Sequence, residues 1–137
     1  MNTSAVPGTP ATIGRPLHIT LRVLQVLLFA FVAFTGVNKL LGLQQEMVDN
    51  FARLGGLWFR HLVGVLELVG AIALVTPRWA AVGALWLIGV MIGAMITHLF
   101  FQPPAALAIV PLVLGGLLAL IAWGRWSEGP VLARPRR

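Results

Sequence analysis

Four long apolar stretches, separated by short segments rich in proline, glycine or charge, organise this chain. They cover about residues 21–41, 58–75, 79–101 and 105–123. Each is close to the ~20 residues that an α-helix needs to cross a hydrocarbon core of ~30 Å. Because the connections are mostly short, the pattern predicts an all-α fold, a transmembrane four-helix bundle with up-down-up-down topology.

The longest connection, residues 42–60, has a helical pattern of its own. Met47, Phe51, Leu54 and Trp58 recur at helical spacing, so a helix here would have one apolar face. The pattern is typical of a short amphipathic helix lying at the membrane surface between the first two spans. An ordinary ordered loop is the alternative interpretation.

The two ends of the chain differ from this apolar centre. Residues 1–16 are rich in proline, threonine, serine and glycine, and they show no apolar periodicity, which predicts a flexible cytoplasmic tail. Residues 127–137 are predicted to form a basic cytoplasmic tail. The transmembrane domain is therefore expected to cover residues 17–126.

Glycine and proline suggest local geometry within two of the spans. Gly89 and Gly93 form a GxxxG pattern in the third span, which suggests a face for close helix packing. Pro111 lies inside the fourth span and is expected to kink it, because proline removes one backbone donor and crowds the preceding turn.

Composition places the chain among integral membrane proteins. Hydrophobic residues make up 58% and charged residues 10%, whereas soluble domains carry about 25% charged residues. The formal net charge of +6 at pH 7 would suit nucleic-acid binding, but the basic residues flank the apolar stretches. We therefore expect this protein to interact with the lipid bilayer and not with nucleic acid.

The distribution of basic residues also predicts an orientation. With four spans, both tails and the turn around residues 76–78 lie on one side of the membrane. Seven of the ten lysines and arginines fall on that side, and Lys39, Arg53 and Arg60 fall on the other. The positive-inside rule then places both termini in the cytoplasm.

One acidic residue lies in the middle of the second span. Glu67 is the only charged residue of the stretch 62–75, and an acid within a membrane span is a functional candidate by default. Lys39 in the last turn of the first span and His98 near the end of the third span fall at a similar depth. The sequence predicts that Lys39, Glu67 and His98 form a ligand or proton site in the outer half of the bundle.

Each of these three residues also has a structural interpretation. Lys39 would be an interfacial anchor, His98 a core histidine satisfied by a carbonyl, and Glu67 half of an ion pair that fixes helix packing. The functional interpretation predicts a Lys39–Glu67 pair beside a cavity with Glu67 and His98 in its wall. Neighbouring small, polar or flexible side chains are the lining candidates, namely Asn38, Gly64, Met91, Ala94 and Met95.

Metal and thiol chemistry are not expected. The chain has no cysteine, which excludes disulfides and thiolate metal sites. Its three histidines are scattered and show no spacing typical of metal ligands. A redox role would therefore need electrons from a bound cofactor or from a partner protein.

Short motifs around the three polar residues resemble the DoxX-like membrane proteins. Residues 36–40 read GVNKL, which resembles the G-x-x-K-L signature of that family, and residues 64–68 read GVLEL, which resembles its G-x-x-E-L. Residues 94–98 resemble the family's small residue followed four positions later by histidine. The similarity covers about residues 23–101.

This resemblance implies a four-helix, multi-pass protein of a bacterial or archaeal cytoplasmic membrane. It carries Lys39, Glu67 and His98 over as motif positions. The family takes its name from a membrane subunit linked to thiosulfate oxidation with quinone as acceptor, and other members look like membrane anchors for redox or detoxifying partners.

Three functions are compatible with these observations. The first is a membrane anchor, or a non-catalytic or quinone-binding subunit, of an oxidoreductase, with quinone at the polar cluster, no covalently bound cofactor and a redox partner protein. The second is a small transporter or binder of lipophilic ligands, with Glu67 as a proton-coupled group. The third is a structural or docking subunit. The sequence does not indicate an oligomeric state.

Overall fold

The computed structural model describes residues 14–129 of the chain. Within this range the secondary structure is helical, with no β-strand. The α-helices are α1 (Arg15–Leu41), α2 (Gln45–Leu54), α3 (Gly56–Val75), α4 (Ala80–Phe100) and α5 (Ile109–Arg125), and two 3₁₀ turns span Ala105–Ala108 and Trp126–Glu128. Most of the two predicted tails, residues 1–13 and 130–137, lies outside the described residues.

Four helical segments are long and apolar enough to cross a membrane. They are α1, α3, α4 and the segment Ala105–Glu128, which contains α5. Successive long helices pack against each other, and α5 also contacts α1, which closes the bundle. The predicted all-α transmembrane four-helix bundle is confirmed.

The connection between α1 and α3 contains a helix, so the amphipathic-helix interpretation is the correct one. α2 packs against α3, with ring centroids of Phe51 and Phe59 5.9 Å apart. Glycines with positive φ lie on both sides of it, Gly42 at 65° and Gly56 at 80°. These backbone angles are accessible to glycine and costly for other residues, so the chain turns sharply at each end of α2.

The first helix starts earlier than the sequence pattern indicated. α1 begins at Arg15, with Pro16 in its first turn, where the missing N–H of proline breaks no intrahelical hydrogen bond. Arg15 and Pro16, which we expected in the tail, therefore belong to the helix. α1 ends at Leu41 and is capped by Gly42, whose N–H donates to the carbonyl oxygen of Asn38.

The last span is two helical segments and not one helix bent at Pro111. A 3₁₀ turn over Ala105–Ala108 leads into α5, which starts at Ile109. Pro111 therefore lies in the first turn of the α-helix, where its nitrogen has no intrahelical acceptor to lose.

The core of the bundle consists of apolar side chains contributed by all four long helices. Its fully buried members include Leu21, Leu74, Leu87, Leu118 and Ile121. Many large apolar side chains on the outward faces of the same helices are exposed. Large exposed apolar surfaces mark membrane or protein contacts, and on four spanning helices they suit contact with lipid.

Candidate functional site

Lys39 on α1 and Glu67 on α3 form the predicted ion pair. The Lys39 Nζ donates hydrogen bonds to both Glu67 carboxylate oxygens, at 3.0 Å each. The side chains are 15% and 7% exposed, respectively. A buried carboxylate is costly without a partner, and here the lysine supplies that partner from the neighbouring helix.

Thr35 is a third member of this cluster that sequence reasoning missed. Its Oγ1 lies 3.2 Å from Glu67 Oε2 and 2.9 Å from the carbonyl oxygen of Val32. One hydroxyl has a single proton, so Thr35 donates to only one of these acceptors at a time. The available signal was its position, one helical turn before Lys39 and on the same face of α1.

A cavity of about 920 Å³ lies beside the ion pair. Lys39 and Glu67 form part of its wall, α4 contributes His98, and α2 contributes Met47 and Phe51. The predicted cavity with Glu67 and His98 in its wall is therefore present. It lies in the half of the bundle close to α2.

His98 lies in the cavity wall without contacting the ion pair through a hydrogen bond. Its Nδ1 is buried and has no hydrogen-bond partner among the residues that the structure describes. The interpretation of His98 as a core histidine satisfied by a carbonyl therefore does not apply to that nitrogen. Since a buried polar atom without a partner costs free energy, His98 retains an unmet hydrogen-bonding capacity beside the cavity.

The lining candidates divide between the cavity and the packed core. Ala94 lines the cavity, whereas Met91 is 7% exposed and belongs to the hydrophobic core. Met91 directly follows Val90, a lining residue, and one position along an α-helix is a rotation of about 100°. Met95 follows Ala94 in the same way and does not contribute to the wall.

Asn38 and Gly64 are also placed outside the wall. Gly64 packs against α1, where an added Cβ would lie 3.0 Å from the carbonyl oxygen of Gly36 and 3.2 Å from the Leu40 side chain. Asn38 is 5% exposed, and its Oδ1 has no hydrogen-bond partner within residues 14–129. Both residues are therefore buried outside the cavity wall, Gly64 at the contact between α3 and α1.

The GxxxG pattern of α4 has the opposite role from the one that we expected. A Cβ added at Gly89 or Gly93 would meet no atom within 4 Å, and both glycines line the cavity. They create open volume opposite Glu67 and do not bring two helices together. Close helix approach in this bundle instead involves Gly36, Gly64 and Gly83.

Trp86 is a further wall residue that the sequence analysis did not select. Its indole Nε1 donates a hydrogen bond to the carbonyl oxygen of Leu66 on α3, at 2.9 Å, next to Glu67 in the chain. Tryptophans of membrane proteins concentrate near helix ends, so its position well inside α4 was the signal that could have identified it.

Within residues 14–129, no three histidine, aspartate or glutamate side chains are close enough together to hold a metal ion. The chemistry of the wall is therefore that of one ammonium (Lys39), two carboxylates (Glu46 and Glu67), one imidazole (His98) and neutral polar groups. This set can donate hydrogen bonds to a ligand oxygen and can hold or release protons.

The residues of this site fall within a part of the chain that matches a known family. The model of the DoxX-like family matches residues 23–122. This chain belongs to the DoxX-like family. The match includes the greater part of each of the four spanning segments and contains Lys39, Glu67 and His98, so the resemblance to the DoxX-like family is confirmed. As a DoxX-like protein with four spanning helices, it is a multi-pass membrane protein. No curated protein and no solved structure matches the chain.

Proposed function

We propose that this DoxX-like protein is a membrane subunit that binds a quinone in the cavity beside Glu67 and serves an oxidoreductase partner. The proposal is supported above all by the location of the Lys39–Glu67 pair and His98 in the wall of a cavity of about 920 Å³. A pair that only fixed helix packing would need no such volume beside it.

The ion pair leaves one donor for a ligand. A lysine ammonium has three N–H donors, and Lys39 directs two of them to the oxygens of Glu67. Lys39 also lines the cavity, so its third N–H is available to a carbonyl oxygen in that space. A quinone head group carries such oxygens on a flat apolar ring.

The rest of the wall suits that ring. Val63, Leu66 and Val90 provide apolar surface, and Trp86 provides an aromatic side chain. Small-molecule sites are typically apolar with a few placed polar groups. Gly89 and Gly93 supply the room, since no side chain occupies the space in front of them.

A bound quinone would supply two-electron redox chemistry, and this chain supplies the protons and the binding contacts. The chain has no cysteine, so the electrons come from the partner oxidoreductase. The Lys39 ammonium and the His98 imidazole carry N–H groups at the cavity that can be donated to the quinone oxygens.

Binding is tested with purified full-length protein in a neutral detergent, titrated with a short-chain ubiquinone while tryptophan fluorescence is recorded. We expect saturable quenching that is reduced in Trp86→Phe, because Trp86 lies in the cavity wall. Gly93→Leu should weaken binding at least tenfold, since its side chain extends into the open volume.

The matched control is Gly116→Leu on α5. An added Cβ there also meets nothing within 4 Å, and Gly116 does not line the cavity. Gly116→Leu should bind the quinone as the unchanged protein does. Absence of saturable quenching, or equal losses in the two leucine variants, would rule out binding in this cavity.

The oxidoreductase partner is tested in native membranes. Quinone reduction driven by respiratory substrates should be slower with Gly93→Leu than with Gly116→Leu, at equal amounts of protein. Equal rates would contradict the redox role even if the purified protein binds the quinone.

A further inference from the structure

A second polar cluster lies at the opposite end of α1. Arg22 and Lys39 are separated by ~25 Å along this helix, from its rise of 1.5 Å per residue. The cluster centres on Arg125 in the last turn of α5, which is 3% exposed. None of the residues around Arg125 lines the proposed quinone cavity, so the two sites are independent.

Buried hydrogen bonds hold the Arg125 guanidinium in place. Its Nε donates to Gln25 Oε1 at 3.0 Å, and Gln25, which is 1% exposed, donates from Nε2 to the carbonyl oxygen of Leu74 at 2.6 Å. These contacts connect α5, α1 and α3. The guanidinium is therefore preorganised before any ligand binds.

The remaining guanidinium nitrogens point toward the end of the bundle. Nη1 of Arg125 lies 2.8 Å from His18 Nδ1 and 3.0 Å from Glu128 Oε1. Nη2 donates to the His18 carbonyl oxygen at 3.3 Å. The side chains of His18 and Glu128 are 56% and 39% exposed, respectively, so both have access to solvent while the guanidinium stays buried.

A cavity of about 150 Å³ adjoins the cluster, and its lining is basic. Two arginines, Arg22 and Arg125, line the cavity, and the only carboxylate among its lining residues is that of Glu128. Arg22 forms no ion pair with any residue of the range 14–129. The cavity therefore carries more positive than negative charge and contains one arginine with no anionic partner.

The start of α4 reinforces this charge. Ala80, the first residue of α4, lines the cavity, and no side chain caps this end of the helix. The first N–H groups of a helix lack intrahelical acceptors and carry a partial positive charge. They add to the attraction that the two arginines exert on an anion.

We propose that this cavity binds a phosphate group, supplied either by inorganic phosphate or by a phospholipid headgroup. Guanidinium groups match the geometry of phosphate oxygens. The volume of about 150 Å³ exceeds the ~30 Å³ that one water occupies in the liquid, so it admits a tetrahedral anion. Trp79 and Trp126, at 50% and 48% exposed, lie at the same end of the bundle and are typical of the headgroup level.

Glu128 acts as an internal competitor in this arrangement. Its carboxylate occupies Nη1 of Arg125, one of the donors that a phosphate oxygen would use. Because Glu128 ends the short 3₁₀ turn Trp126–Glu128 and is partly exposed, it can move away without disturbing the buried Gln25–Arg125 contact.

The free-anion arm of the test uses purified full-length protein in neutral detergent and phosphate-free buffer. Inorganic phosphate should raise the thermal unfolding midpoint by a few degrees relative to chloride at equal ionic strength, because a ligand that binds only the folded state stabilises it. Arg22→Gln should lose most of this shift yet remain folded, since Arg22 forms no ion pair in the described range.

Two further variants make the free-anion result specific. Arg78→Gln removes the same charge from an exposed residue of the neighbouring turn that does not line the cavity, and it should keep the full shift. Glu128→Gln removes the competing carboxylate. The phosphate concentration that gives half of the maximal shift in unfolding midpoint should therefore fall several-fold.

The lipid arm compares phosphatidylglycerol with diacylglycerol, which lacks a phosphate. Stabilisation by phosphatidylglycerol that Arg22→Gln loses and Arg78→Gln keeps would assign the site to a lipid headgroup, and the corresponding response to inorganic phosphate would assign it to the free anion. If neither phosphate source stabilises the protein, or if both arginine variants lose the response equally, the cluster only holds α1, α3 and α5 together and the proposal is wrong.

Discussion

Gly36 on α1 and Gly64 on α3 face each other so closely that a Cβ on either would lie 3.0 Å from the carbonyl oxygen of the other. One turn further along each helix come Lys39 and Glu67, whose charged groups meet at 3.0 Å. Because α1 and α3 run in opposite directions, Lys39 and Glu67 lie on either side of the glycine contact, and the long lysine side chain covers the offset between the closely packed backbones. The G-x-x-K-L and G-x-x-E-L motifs are therefore two halves of one structural unit, in which the glycines pack and the charged residues pair.

The first prediction concerns this close approach. Gly64→Ala should destabilise the folded protein by about 1–3 kcal/mol, because the added methyl group must push α1 and α3 apart. The measurement is unfolding of the purified protein in mixed micelles with increasing denaturing detergent. Gly93→Ala is the control, since its methyl group meets no atom within 4 Å and alanine favours a helix by up to ~1 kcal/mol over glycine. Equal effects of the two substitutions would contradict the tight Gly36–Gly64 contact.

The second prediction concerns the ion pair. Glu67→Ala should cost about 3–5 kcal/mol, because it leaves the mostly buried Lys39 ammonium without an anion. The lower end of that range is expected, since Lys39 also borders the cavity and its ammonium can turn toward water there.

The control for that prediction is the double substitution Glu67→Ala/Lys39→Met. It removes both charges and should recover part of the lost stability, because no unpaired ion remains. If the effects of the two single substitutions simply add, the two side chains are not coupled in the membrane.

The sequence was sufficient to predict the helix bundle and the Lys39–Glu67 ion pair, for a physical reason. Long apolar stretches leave few alternatives to spanning helices, and Glu67 in such a stretch required a partner, which Lys39 could supply from a similar depth. The sequence could not tell which glycines face an opposing backbone. Gly89 and Gly93 form the GxxxG, but they border open space, whereas the Gly36–Gly64 contact joins residues of two different helices.

The remaining residues of the site could not be predicted from the sequence, because their positions depend on the rotation of each helix about its axis and on contacts between residues far apart in the chain. Met91 and Ala94 are three residues apart on α4, yet one is in the core and the other in the cavity wall, a difference that only the packing of α4 decides. The hydrogen bond between Gln25 and Arg125 joins residues that are 100 positions apart in the sequence. A glutamine within an apolar span was the only hint of that second cluster.

The third prediction is the orientation, which rests on the distribution of basic residues. The unchanged chain has no cysteine, so single cysteines can be introduced at the exposed positions Ala52 of α2 and Arg78 of the α3–α4 turn. A membrane-impermeant maleimide added to intact cells should label Ala52→Cys and leave Arg78→Cys unlabelled until the membrane is opened. Labelling of Arg78→Cys in intact cells would reverse the assignment of both termini to the cytoplasm.

The fourth prediction separates a binding role of His98 from a structural one. Replacing a buried polar residue normally costs stability because its hydrogen bonds are lost, but the Nδ1 of His98 has no partner within the described residues. His98→Leu should therefore leave the free energy of unfolding within about 0.5 kcal/mol of that of the unchanged protein, or raise it. Quinone affinity should fall about tenfold, since one hydrogen bond of about 1.4 kcal/mol corresponds to that factor.

Met95→Leu is the matched control for His98→Leu, because Met95 lies less than one turn away on α4 and does not line the cavity. Its quinone affinity should be unchanged. His98→Gln retains a donor and an acceptor and should restore part of the affinity that leucine removes. If His98→Leu instead lowers stability by 1–3 kcal/mol, the cost of an unsatisfied buried group, and leaves quinone binding unchanged, His98 contributes to packing alone. The quinone would then be held by the Lys39 ammonium without help from α4.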